Sequence, residues 1–166
     1  MIRPLVAGLV SGLLVIGGAK LADRPHEAPA RAESAAYLVS EDADADVDAA
    51  LERAAQSGKR VLLVMGANWC HDSLALAGSL ESERIAPLVR DRYELVYVNV
   101  GMPQKGDGHN LGIARRFGLD DLPGTPNLLV LTAQGELVNA DTAPGWRNAA
   151  SRSDEAIYDE LAKLAG

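Results

Sequence analysis

An uninterrupted apolar run from Arg60 to Ala67 (RVLLVMGA) ends three residues before Cys70, the chain's only cysteine. Apolar side chains at both odd and even positions make this a strand buried on both faces, which needs packing layers above and below it. The exit is Asn68-Trp69-Cys70-His71-Asp72-Ser73, and Leu74, Ala77 and Leu80 then follow at helical spacing. The sulfur therefore stands where a buried strand hands over to a helix.

The rest of the chain supplies those layers. Glu41, Asp42, Asp44, Asp46 and Asp48 crowd the start of a helical pattern carrying Val47, Leu51 and Ala54, and Gly58 supplies its stop. The glycine and glutamate spacing of a calcium-binding EF-hand is missing from that acidic run, so it is read as a solvated helix start. Ser82 to Arg92 is a second helical segment in this region, kinked or broken at Pro87. Tyr93 to Val100 (YELVYVNV) is a second strand, and Gly101 to His109 reads as a loop. Asn110 is placed to cap a short helix with Leu111, Ala114 and Phe117, ended by Gly118. Asn127 to Thr132 is a third strand, turned at Ala133-Gln134-Gly135 into a fourth around Glu136 to Asn139. A last helix from Ser151 or Ser153 carries Ile157, Leu161 and Leu164. The expectation is one α/β domain over residues 41–166. Its central mixed sheet has about four to five strands, with helices on both faces.

Upstream, Arg3 and an apolar run from Leu5 to Ile16 resemble an export signal. Residues 1–22 are expected to be a signal peptide or an N-terminal membrane anchor, with residues 5–19 holding the inner membrane if the segment is kept. Small-x-small patterns at Ala28-Pro29-Ala30 and Ala30-Arg31-Ala32 offer cleavage points, and residues 23–40 read as a linker rich in Ala, Pro and charge. The expected location is periplasmic or otherwise extracytoplasmic. Removing residues 1–32 deletes four basic and two acidic side chains, taking the net charge from −7 to −9. Such acidity disfavours nucleic acid, which is bound through a Lys/Arg surface that neutralises phosphates. A single Cys cannot close an internal disulfide or build a Cys-rich zinc site.

Cys70 is the residue with chemistry to offer. At a helix start its sulfur lies beside backbone N–H groups that have no intrahelical acceptor, a field that stabilises thiolate, the nucleophilic form. A protonated His71 would add to it. Against this stands the ordinary status of cysteine as a small buried hydrophobe. Cys70, His71 and Asp72 make a poor metal set, because three successive residues at a helix start diverge and further ligands are not evident. A Cys–His hydrolase is disfavoured because a sequence-adjacent imidazole turns away from the sulfur.

Two motifs in order resemble the thioredoxin family. Trp69-Cys70-His71-Asp72-Ser73 after its apolar strand is similar to that family's active-site segment, with Ser73 in place of the second cysteine. Gly124-Thr125-Pro126 before Asn127-Leu128-Leu129-Val130-Leu131 is similar to its cis-proline loop and following strand, and Gln134-Gly135-Glu136 to its hairpin turn. The likeness runs from about Asp46 to Gly166. It implies a thioredoxin-like fold in which Cys70 faces a cis Thr125–Pro126 bond, and the backbone before Pro126 pairs with an extended peptide. Trp69 would then shield one side of the sulfur, Ser73 would hydrogen-bond the thiolate, and His71 and Asp72 would border the substrate.

The departures shape the expected chemistry. Ser73 cannot resolve a mixed disulfide, and the family's buried acid, six residues before the nucleophile, is replaced by Val64. The resemblance thus implies an exported monothiol oxidoreductase or isomerase-like protein, with mixed disulfides on Cys70 resolved by an external thiol. Partners would be client proteins bearing thiols or disulfides, or a small thiol such as glutathione, with no cofactor and no metal. The alternative is a redox-inactive peptide-binding or chaperone module using the cis-proline groove. His109, in the Gly101–Asn110 loop, is a further candidate for the site, though a surface position suits it better.

Overall fold

The computed structural model describes residues 36–120 and 122–166. The expected signal or anchor, its cleavage points and all but the last five residues of the linker lie outside them. Strand β1 (Arg60–Gly66) is the middle of a three-stranded sheet, flanked by β2 (Tyr93–Asn99) and β5 (Asn127–Leu131). It runs parallel to β2, with Leu63 beside Val96, and antiparallel to β5, with Leu63 beside Leu129.

Both faces of β1 are covered, as its composition demands. Leu62 and Val64 point into one core with Leu128, Val130, Trp146, Leu76, Leu80, Ile157 and Leu161. Val61, Leu63 and Met65 point into the other with Leu129, Leu131, Val47, Ala50, Ala54 and Ile113. The first core is closed by helices α2 (His71–Leu80), α3 (Ala86–Arg92) and α5 (Asp154–Leu164). The second is closed by α1 (Ala43–Ser57) and α4 (Leu111–Arg116). Each fully buried aliphatic side chain contributes about 1.5–3 kcal/mol relative to exposure, so the doubly covered strand is the strongest local determinant of the fold.

Helix ends follow their local chemistry. The Asp42 carboxylate accepts from Ala45 N at 2.9 Å to start α1, and Gly58, at φ +73°, ends it. Pro87 sits in the first turn of α3, where a missing N–H costs no intrahelical bond, so it opens a short helix rather than kinking a longer one. Ser153 caps α5 by accepting from Ala156 N. Among the described residues, no helix is long and apolar enough to cross a membrane.

Two expectations need correction. The main sheet has three strands. The remaining two, β3 (Gly101–Met102) and β4 (Asp107–Gly108), pair as a separate hairpin where a loop was expected. Gly101 and Gly106, at φ +61° and +78°, make that reversal possible. The expected strand over Glu136–Asn139 is reduced to one bridge, Leu131 with Leu137. There the buried Asn139 side chain works in place of backbone: its Oδ1 accepts from Val130 N at 2.8 Å and its Nδ2 donates to Leu128 O at 2.9 Å.

The linker expected over 23–40 also reaches into the domain. Tyr37 is fully buried, and its ring meets Tyr97 edge-on at 5.3 Å between centroids. Asn68 grips its backbone twice, accepting from Tyr37 N at 3.2 Å and donating to Tyr37 O at 3.0 Å. Asn99 Nδ2 donates to the same carbonyl at 2.9 Å. Tyr37→Ala should therefore cost about 3–5 kcal/mol in urea unfolding, as for other buried aromatics. Tyr37→Phe, which loses only the hydroxyl, should cost about 1 kcal/mol. A Tyr37→Ala loss below 1 kcal/mol would show that the segment is not part of the core.

Candidate active site

The end of β1 delivers the chain to the site through a crowded corner. A β-carbon on Gly66 would fall 2.6 Å from the Tyr37 ring and 2.7 Å from Ser73 Oγ, so only glycine fits between them. Asn68, Trp69 and Cys70 then turn out of the sheet, with Cys70 N donating to Ala67 O at 3.0 Å. Cys70 is the N-cap of α2, and its side chain makes no capping bond. Its carbonyl accepts the first intrahelical bond, from Leu74 N at 3.1 Å. The partly exposed sulfur thus stands at the N-terminal end of α2, where the helix dipole favours negative charge.

Across from it lies the loop before β5. The Thr125–Pro126 bond is cis, and Cys70 Sγ lies 3.5 Å from Thr125 O. In the thiol form Cys70 donates to that carbonyl. A thiolate has no hydrogen to donate, which leaves the oxygen open to another N–H. Thr125 Oγ1 is also buried without a hydrogen-bond partner among the described residues, a state that buried hydroxyls rarely keep. Asn127 closes the loop from below, its Nδ2 donating to Gly124 O at 2.6 Å.

The remaining candidates are distributed unevenly. Trp69 is 47% exposed, and its indole N–H donates to Gly101 O at 2.8 Å, so the β3–β4 hairpin holds the ring at the site's edge. His71 is exposed at the first turn of α2. Asp72 is half-buried, and its carboxylate accepts from Ala150 N at 2.9 Å, tying the 3-10 segment Ala143–Ser151 to the active-site helix. Ser73 departs from its expected role. It is fully buried, its Oγ accepts from Ala67 N at 3.3 Å and its carbonyl accepts from Tyr37 OH at 3.2 Å, so it braces the turn beneath the sulfur. His109 is exposed on the hairpin. Asn110 occupies the N-cap position of α4 without a capping bond, because its side chain donates to Asn99 O at 2.9 Å instead. Among the described residues no group of three or more His, Cys, Asp or Glu side chains is arranged to hold a metal ion.

Sequence reasoning missed Tyr37, which packs under the turn. Burial, then the neighbouring Tyr97 and Cys70, push its phenol well above the ordinary tyrosine range, although a hydrogen bond with Ser73 works against this. The phenol is therefore a neutral donor at any physiological pH. An aromatic residue standing alone in an Ala- and Pro-rich stretch was the available signal. Arg147, whose side chain crosses Gly124, left no such trace.

A family model described as thioredoxin-like matches residues 42–133. No curated protein matches the chain significantly. Among solved structures, it is similar to the crystal structure of a disulphide isomerase from Xylella fastidiosa Temecula1. The two share 32% sequence identity with a TM-score of 0.69, over 78% of this chain and 98% of that one.

Gly66→Ala should destabilise the domain by about 1–3 kcal/mol, the usual cost of overpacking. It should also slow alkylation of Cys70, because the new methyl must push Ser73 or Tyr37 out of the turn. Unfolding curves and alkylation rates unchanged from the parent would contradict the crowded-corner account.

Proposed function

Because the chain belongs to the thioredoxin-like family, we propose that it performs thiol–disulfide exchange outside the cytoplasm with Cys70 as its single nucleophile. The observation that carries this reading is the placement of a partly exposed Cys70 sulfur at the start of α2, 3.5 Å from the carbonyl that precedes the cis proline. The likeness to a disulphide isomerase supports exchange chemistry in general. Export rests on the character of residues 1–22.

In the proposed cycle, the Cys70 thiolate attacks one sulfur of a client disulfide. The Cys70–client S–S bond forms as the client's own S–S bond breaks, and its second sulfur leaves as thiolate. An external thiolate then attacks the client sulfur of the mixed disulfide, so that a disulfide between client and external thiol forms as the Cys70–client bond breaks and Cys70 leaves as thiolate. Each step is an exchange, so the chain consumes no oxidant or reductant. Ser73 has no thiol to give, and Val64 supplies no acid beneath the site. Both facts suit release by a second molecule rather than by an internal partner. Ionisation of Cys70 would free Thr125 O for the backbone N–H of an extended client, as strand addition requires.

A second reading, a redox-inactive peptide-binding module, is favoured by one observation. Leu38 and Val39 are 73% and 81% exposed beside Tyr37, whose backbone is clamped by the residue preceding the exposed Trp69. Client chains rather than small thiols would occupy such a surface.

Exchange on a mixed-disulfide substrate separates the two. Cys70→Ser should reduce the rate to that of the added thiol alone, and the parent should accumulate a substrate adduct visible by intact mass when external thiol is withheld. Equal rates for parent and variant would end the exchange reading, and retained client binding by the variant would favour the module. Ser73→Cys should shorten the adduct's lifetime without added thiol, since residues three apart in a first helical turn bring their side chains within disulfide reach.

A further inference from the structure

Beside Thr125 the chain carries a cation that the exchange cycle does not use. Gly124 is buried, and a β-carbon there would meet Arg147 Cδ at 2.8 Å, Cγ at 3.6 Å and Nη1 at 3.9 Å. The arginine stem therefore lies across the residue before Thr125, whose carbonyl touches the Cys70 sulfur. Its placement is supported from both sides. Trp146, immediately before it, is fully buried, and three residues later Ala150 N donates to Asp72 on the active-site helix.

Arg147 donates from Nε to Pro144 O at 3.2 Å and makes no ion pair among the described residues. Several other arginines are already matched to carboxylates: Arg53 to Glu94, Arg116 to Asp44 and Asp48, and Arg152 to Glu160. With Nε on Pro144, four of its five N–H donors remain for a ligand. Asp72, on the active-site helix, accepts from Ala150 N. A guanidinium without an ion pair, laid across the residue before Thr125, stands out on a domain whose overall charge repels anions.

We propose that Arg147 forms a carboxylate-binding subsite that directs Cys70 toward disulfides of carboxylate-bearing small thiols. It deepens the exchange reading above and rests on it. The Cys70 thiolate forms a bond to one sulfur of the small disulfide while the S–S bond breaks and the other half leaves as thiolate. Arg147 holds a carboxylate of the retained half and takes no part in bond making.

The test compares the rates at which the intact domain forms an adduct with three probes: glutathione disulfide (anionic), hydroxyethyl disulfide (neutral) and cystamine (cationic). Rates are taken at pH 7 in low and high salt, relative to a free small thiol as attacker. Arg147→Ala should slow the glutathione disulfide reaction by about two- to fivefold, the upper range of one exposed ion pair, while leaving hydroxyethyl disulfide unchanged. It should speed cystamine, and Arg147→Lys should retain most of the preference. High salt should compress the ranking in the parent. Arg90→Ala, removing a cation at the opposite end of β1 and β2 where Lys59 Nζ meets Arg90 O, should leave all three rates unchanged. If Arg147→Ala slows all three probes equally, or none, the subsite is overturned while exchange stands. If the parent reacts with none of them, the exchange reading falls and takes the subsite with it.

Discussion

A strand that must be covered on both faces dictates where everything else goes. Because β1 is apolar at every position from Val61 to Met65, one set of helices has to lie above the sheet and another below. The chain can then leave β1 only at its end, beside the Tyr37 ring that closes the first core there. That exit is Gly66 to Cys70, and it places the sulfur beyond the C-terminal end of the central strand rather than within either core. Burial of hydrocarbon thus positions a polar site whose own interactions are individually weak.

Those weak interactions are supplied mainly by asparagine side chains that stand in for backbone. Asn68 and Asn99 hold Tyr37, Asn127 holds Gly124, and Asn139 completes the edge of β5. Asn110 and Asn99 brace the base of the β3–β4 hairpin, which in turn holds Trp69. An amide carries both donors and an acceptor, so one residue can satisfy two backbone groups where no strand or helix continues. The hairpin, the cis-proline loop and the turn at Cys70 are irregular backbone segments, yet each has such a partner.

This division explains which features could be read from the sequence. β1, β2, β5 and the helices announced themselves through periodicity, caps and glycine stops, because burial and capping act on neighbouring residues. The pairing of Cys70 with the Thr125–Pro126 loop was reached only through resemblance of two motifs to a family, since no local rule links residues 55 apart. Tyr37 was hidden because its burial depends on Gly66 and on amides 31 and 62 residues away. Ser73 was assigned to the thiolate, but the close approach of Tyr37 and Gly66 turns its hydroxyl inward to Ala67. The fourth strand failed because Asn139 takes the backbone's place after a single bridge.

Every chemical statement made for the site comes back to Cys70 being more reactive in the folded chain than its exposure alone would make it. Alkylation by a neutral reagent at pH 6, comparing the folded domain with the same chain unfolded in urea, measures this directly. Unfolding removes the helix start and leaves a fully exposed cysteine without that local field. The account predicts faster modification of the folded protein. An equal or slower rate in the folded state would contradict it.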